Sequence, residues 1–193
     1  MKDLLAVVAF AFAGAASPGP NNTLLWASGM RFGFRKTVPH VAGTVLGMAA
    51  LIVAVALGLG ALLRAVPALE LALKVVGTLY LLYVAYLIAG SGAIGRADDA
   101  RPLGIWRGAL FQWTNPKAWV FVVAAVGTFI PETTLSSGLA FVAVVSVVVA
   151  VSATIWAAGG TALGTILTDD RRRRIASAVL AALLVASVAL IWI

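Results

Sequence analysis

Six long apolar stretches occur along the chain, at 4–27, 38–63, 68–89, 105–130, 135–167 and 175–193, with short polar links between them. A helix needs roughly 20 mostly apolar residues to cross the hydrocarbon core, so each stretch predicts a membrane span. The fifth is long enough to tilt, or to bend near Gly159-Gly160. The longest link, 90–104, is rich in Gly and charge. The pattern therefore predicts an all-α, polytopic membrane protein, a single membrane domain over 1–193.

The spans divide into two sets of three, repeat one at 4–89 and repeat two at 105–193, on either side of a cytoplasmic loop at 90–104. An odd number of spans per repeat turns the second upside down relative to the first. Each repeat opens with a span interrupted by a polar proline motif: Ser17-Pro18-Gly19-Pro20-Asn21-Asn22 in the first, Gln112-Trp113-Thr114-Asn115-Pro116-Lys117 in the second. Proline lacks the backbone N–H and clashes with the preceding turn, so it releases carbonyls and amides from the helical ladder. Hydrocarbon cannot satisfy those groups; protein or a water-filled cavity must. Asn115-Pro116 reads as an N-cap followed by proline at the first helical position, and Ser17-Pro18 is expected to open a half-helix in the same way. Corresponding interrupted segments in two halves point to a transporter's binding site. A simple bend is the plainer explanation of either motif alone. At about 1.5 Å per residue from Arg107, Asn115 lies about 12 Å into the membrane.

Composition agrees with this picture. Of 193 residues, 62% are hydrophobic and 11% charged, against roughly 25% charged in a soluble domain. Too little polar surface remains to cover a soluble globule. There is no cysteine and a single histidine, His40, which leaves no basis for a disulfide framework or a Cys/His metal site. No cofactor and no nucleic-acid partner are expected. The formal charge is +7, and its distribution is asymmetric. Arg31, Arg35, Lys36, Arg96, Arg101, Arg107 and Arg171 to Arg174 fall on one side of the predicted spans, and only Lys2 and Arg64 on the other. By the positive-inside rule the first group is cytoplasmic, which puts both termini outside the cytoplasm. Lys2, the following apolar run and Ala13-Gly14-Ala15-Ala16 also look like a signal peptide. Against cleavage, the apolar run resumes at 23–27, and removal would unbalance the two repeats.

Lys117 sits well inside the fourth span. An unpaired lysine there costs roughly 2.5–3.5 kcal/mol on insertion scales, so a functional role is the default expectation. No Asp or Glu lies deep in any span, which leaves released carbonyls, water or a solute carboxylate as its partner. A structural lysine bonded to carbonyls is the plainer alternative. Lys74 lies nearer the end of the third span, where it could snorkel to the interface. Tyr80, Tyr83 and Tyr86 recur on one broad face of that helix, more as packing than as pathway. Gly43 and Gly47 form a GxxxG pattern that permits close helix contact; Gly159, Gly160 and Gly164 are similar. Trp106 and Trp192 fit interfacial anchoring, and Arg171 to Arg174 a topology anchor beside anionic lipid.

Three motifs together resemble the lysine exporter family (LysE, with its homoserine/threonine-resistance relatives, RhtB). The first is Ser17-Pro18-Gly19-Pro20-Asn21, followed by Gly33 and the Gly43/Gly47 pair. The second is Lys74-Val75-Val76-Gly77-Thr78-Leu79-Tyr80-Leu81-Leu82-Tyr83, and the third is Asn115-Pro116-Lys117-Ala118 between Phe111 and Phe129/Pro131. Thr78 stands where the family usually has Ala and Ala85 where it usually has Gly. The resemblance implies a bacterial inner-membrane protein that exports amino acids or similar small metabolites, driven by the proton gradient, with a homodimer as an assembly.

The expected function is thus secondary transport of a small carboxylate-bearing solute. Pro18, Gly19, Pro20, Asn21 and Asn22 would form one half of the site and Asn115, Pro116 and Lys117 the other, with Lys74 a weaker member. The absence of a deep acidic residue favours a neutral amino acid. A membrane-embedded enzyme would need clustered His, Asp, Glu, Cys or an activated Ser within the spans, and the sequence holds none. A non-transporting scaffold remains the alternative.

Overall fold

A computed structural model describes residues 4–90, 102–130, 135–167 and 169–192, and these are helical apart from short links. In chain order the helices are α1 (Leu4–Ala16), α2 (Pro20–Phe32), α3 (Phe34–Ala54), α4 (Gly60–Ala65), α5 (Pro67–Gly90), α6 (Ile105–Thr114), α7 (Pro116–Phe129), α8 (Leu135–Ile166) and α9 (Asp170–Trp192). Most of the predicted loop 90–104 lies outside the described residues, as do Lys2, Arg96, Arg101 and Glu132.

Two helical segments are each long and apolar enough to cross a membrane: Phe34–Leu59, with mean hydropathy 2.3, and Ser136–Ile166, with mean hydropathy 2.5. The pair α1–α2, bent by 61°, makes a third if it counts as one span. The other apolar segments are shorter: Leu71–Tyr86, Pro116–Phe129 and Arg174–Ala189. Leu5, Leu57, Val120 and Val147 are exposed. Such an apolar surface needs lipid around it. The protein is an integral membrane protein.

Two of the expected spans differ in detail. The second does not continue as regular helix to 63: α3 ends at Ala54 and a π turn follows over Val55–Leu59. Gly58 there has φ 106°, which a glycine adopts without steric cost. This break was hidden in an unbroken apolar run. Conversely, α8 passes Gly159-Gly160 without interruption, because those glycines serve packing.

Glycine-mediated contact sets the architecture. In lipid, helices gain little from hydrophobic burial against one another, so close backbone approach is the main source of attraction. A Cβ on Gly29 would strike the Ala157 carbonyl, and one on Gly160 or Gly164 the carbonyls of Trp26 or Met30, so α2 lies tightly along α8. Gly43 and Gly47 do the same for α3 against Ile105 and Ala109 of α6. α5 packs along α9, and α1 and α3 both contact α8. One buried apolar cluster joins α1, α3, α7 and α8 through Val7, Leu51, Val122, Phe141 and Val145. A second joins α2, α5, α6 and α9 through Leu24, Leu81, Phe111 and Leu184. The polar groups described next lie on α2, α3, α6, α7 and α8, helices drawn from both clusters, and in the links between them.

Candidate functional site

The first break lies between α1 and α2, and its register differs from expectation. Ser17 does not open a helix: its hydroxyl donates to the Gly14 carbonyl at 2.9 Å and so closes α1. The new helix starts with Pro20 at its first position and Gly19 before it, with no side-chain cap. Pro20, rather than Pro18, thus supplies the preset φ that a first helical residue needs. The amide of Asn22 turns back to donate to the carbonyls of Ala15 (2.7 Å) and Ser17 (2.9 Å), and Ser152 of α8 donates to Ala15 at 2.8 Å. The carbonyls released at the break are therefore satisfied by side chains, as hydrocarbon requires.

The second break follows the sequence expectation. Asn115 has extended backbone (φ −94°, ψ 104°), and its side-chain oxygen accepts from the Lys117 N–H at 3.2 Å. Pro116 occupies the first position of α7. Thr114 donates to the Phe111 carbonyl at the end of α6, and the Trp119 indole donates to the Trp113 carbonyl across the break.

The two breaks meet. The Lys117 ammonium donates to the Ser17 carbonyl (2.8 Å), the Ser17 hydroxyl oxygen (2.8 Å) and the Pro18 carbonyl (3.1 Å). An ammonium has three donors, and all three are used. Gly19 makes this reach possible, because a Cβ there would stand 2.8 Å from Lys117 Cδ and Nζ. A second bridge runs beside it: the buried Gln112 amide of α6 donates to Asn21 Oδ1 at 2.8 Å, and the Thr44 hydroxyl of α3 reaches the same oxygen at 3.1 Å.

Between the breaks lies a cavity of about 50 Å³, lined by Gly19, Pro20, Asn21, Asn22, Asn115 and Lys117 among others. A water needs at least roughly 10–15 Å³ on this measure, so the space has room for a few waters and is too small for an amino acid. Pro18 contributes its carbonyl rather than a wall of the cavity. Pro116 is buried against Gly77 of α5, where a Cβ would stand 2.9 Å from its ring. Lys74 does not line the cavity; its motif touches the break through Gly77, one turn further along α5. Sequence reasoning left Gln112, Thr44 and Ser152 out of the site. Gln112 stands inside the quoted motif, Thr44 inside the GxxxG pattern, and Ser152 alone in a valine-rich stretch with no local signal.

A larger cavity, about 640 Å³, opens at the end of the bundle where α2 finishes and α3 and α6 begin. Arg31, His40, Tyr80, Tyr83 and Arg107 line it. Tyr80 packs on Phe111 with ring centroids 5.4 Å apart, as the aromatic reading of that helix predicts. Tyr80 and Tyr83 also face this space, which that reading did not favour.

These features define a class: an integral membrane protein, helical over its described residues, in which two proline breaks, remote in sequence, close on one small cavity. The chain belongs to the LysE type translocator family, whose match covers residues 12–192. It is similar to the cysteine/O-acetylserine efflux protein of Escherichia coli strain K12, 32% identical over 152 residues, 76% of each chain. It is likewise 33% identical to the protein of that name from Salmonella typhimurium over 121 residues, 62% of each chain. The chain thus spans somewhat under two thirds of the length of the Salmonella relative in that match. No solved structure matches the chain.

Proposed function

We propose that this protein is a secondary transporter exporting a neutral amino acid, or a comparable small carboxylate-bearing metabolite, across the bacterial inner membrane. The observation that carries this reading is the Lys117 ammonium, placed between two broken helices and held, among the described residues, by uncharged oxygens. A solute carboxylate is a better partner for an ammonium than a carbonyl is. Its arrival would draw Lys117 away from Ser17 and Pro18 and unlock the two breaks from each other. The small cavity then corresponds to a closed state, which the solute must open to enter.

In this reading the two repeats, 4–89 and 105–193, are inverted three-helix units that rock against each other around the breaks. The chain has six spans, with both termini outside the cytoplasm. Protons are the coupling ion, the assembly is a homodimer, and the protein performs no catalysis. The substrate class follows from charge: with no carboxylate deep in the spans, a dibasic solute would meet Lys117 without a counter-charge. Cysteine and O-acetylserine, named for the relatives, are both neutral amino acids.

Purified protein in proteoliposomes tests the reading. Vesicles loaded with O-acetyl-L-serine should accelerate uptake of the labelled compound by exchange, and Lys117→Ala should reduce that flux at least tenfold. A wild-type flux no faster than in protein-free vesicles would support the scaffold alternative instead.

A further inference from the structure

The 640 Å³ cavity is not accounted for by a site at the breaks. It shares α2 and α6 with that site, and Leu24 and Phe111, buried in one apolar cluster with Leu81, form an apolar seam in its wall. Two guanidinium-bearing residues, Arg31 and Arg107, line it, and no Asp or Glu is among its described lining residues. Arg107 is exposed, and the Arg31 guanidinium stands 5.0 Å from the centre of the Phe32 ring. Low-dielectric walls around charges of one sign concentrate the field and draw in the opposite charge.

His40 supplies the second observation. It lines the same cavity and is fully buried, yet neither ring nitrogen has a hydrogen-bond partner among the described residues. Buried polar atoms are almost always satisfied, and an exception calls for a water, ion or ligand. Both nitrogens are covered in this structure, so a solute meets one of them only after a local rearrangement, and a neutral imidazole then serves as a single donor or a single acceptor. The volume also fits, since small-molecule sites occupy roughly 300–1,000 Å³.

We propose that this vestibule is a second solute site, in which Arg107, Arg31 and His40 capture a neutral amino acid before it passes the Leu24–Phe111 seam. The proposal rests on the transport reading but concerns different residues. The headgroup of an anionic lipid offers related oxyanion chemistry, so the experiment separates the two sources.

The chain has no cysteine, so Ala27→Cys places a single thiol on the vestibule wall. In nanodiscs of zwitterionic lipid, its reaction with a sulfonate and with a trimethylammonium thiosulfonate is timed, each normalised to a free thiol. The anion should be favoured about tenfold or more, and Arg107→Gln should cut that preference several-fold. O-acetyl-L-serine should slow the labelling, and its carboxamide analogue should not. Protection should persist when Lys117→Ala is added, even though exchange is lost. A preference unchanged by both Arg107→Gln and Arg31→Gln would overturn the proposal. So would protection by phosphatidylglycerol with none from O-acetylserine, which would assign the vestibule to lipid. If Lys117→Ala instead exchanges normally while protection persists, the site at the breaks fails and the vestibule stands.

Discussion

Gly19→Ala tests the closed geometry of the two breaks most directly. Gly19 is fully extended (φ 177°, ψ 176°), a conformation open to any residue, so its backbone tolerates a Cβ. On that ground alone the substitution should stabilise by about 0.4–1 kcal/mol, through a less flexible unfolded chain. The new Cβ, however, would lie 2.8 Å from both Lys117 Cδ and Nζ and 3.3 Å from Cε. Carbon contacts relax only at about 3.5–4.0 Å, so the end of the lysine must retreat by roughly 1 Å. Hydrogen bonds of 2.8, 2.8 and 3.1 Å would then exceed bonding range. Bonds to a charged group are worth roughly 1.5–3 kcal/mol each, but they will not add here. The Ser17 carbonyl keeps its bond from Asn22, and water in the cavity can serve the ammonium. The expected net loss is therefore about 1–2 kcal/mol. The assay is reversible unfolding in mixed micelles, followed by fluorescence of the six tryptophans, for Gly19→Ala alone and in the Lys117→Ala background. With the lysine truncated the clash disappears, and Gly19→Ala should become neutral or stabilising. An equal penalty in both backgrounds would refute the contact and with it the Lys117 bridge between the two breaks.

Three further outcomes follow from the same geometry. Gln112→Leu leaves the buried Asn21 Oδ1 with only Thr44 as donor and should cost about 1–3 kcal/mol in the same unfolding assay; no change would mean that the second bridge is not formed. Asn115→Ala removes the cap of α7 and should cost about 0.5–2 kcal/mol, with Asn115→Asp retaining most of the stability. Gly47→Val drives a branched side chain into the backbone of α6 at Ala109, so monodisperse protein should be lost on size exclusion, whereas the neighbouring exposed Leu46→Val should behave as wild type.

Both helix breaks of the candidate site were legible because proline acts locally. Asn115-Pro116 specifies a helix start within three residues, and the structure places it there. The first break was misread by two residues because its motif holds two prolines, Pro18 and Pro20, and Ser17 resolved the choice by bonding backwards to Gly14. Gly43 and Gly47 announced a close contact without naming the partner. The end of α3 was missed because Gly58 stands in an apolar run that a hydropathy pattern reads as continuous.

The sequence by itself determined the apolar helices, the existence of both breaks and the presence of one deep lysine. These depend on residues within a turn or two of each other: proline's missing donor, an asparagine's reach to its own backbone, and the cost of placing polar groups in hydrocarbon. Tertiary structure alone decided which groups meet. Lys117 finds Ser17 across 100 residues and Gln112 finds Asn21 across 91. Those distances are set by how closely Gly29, Gly43, Gly47 and Gly160 let the helices approach. The lysine is satisfied by Ser17 and Pro18, and the larger cavity lies elsewhere, beside Arg107 and His40. Which helices approach, and how much volume remains between them, are properties of packing in three dimensions that no local pattern along the chain encodes.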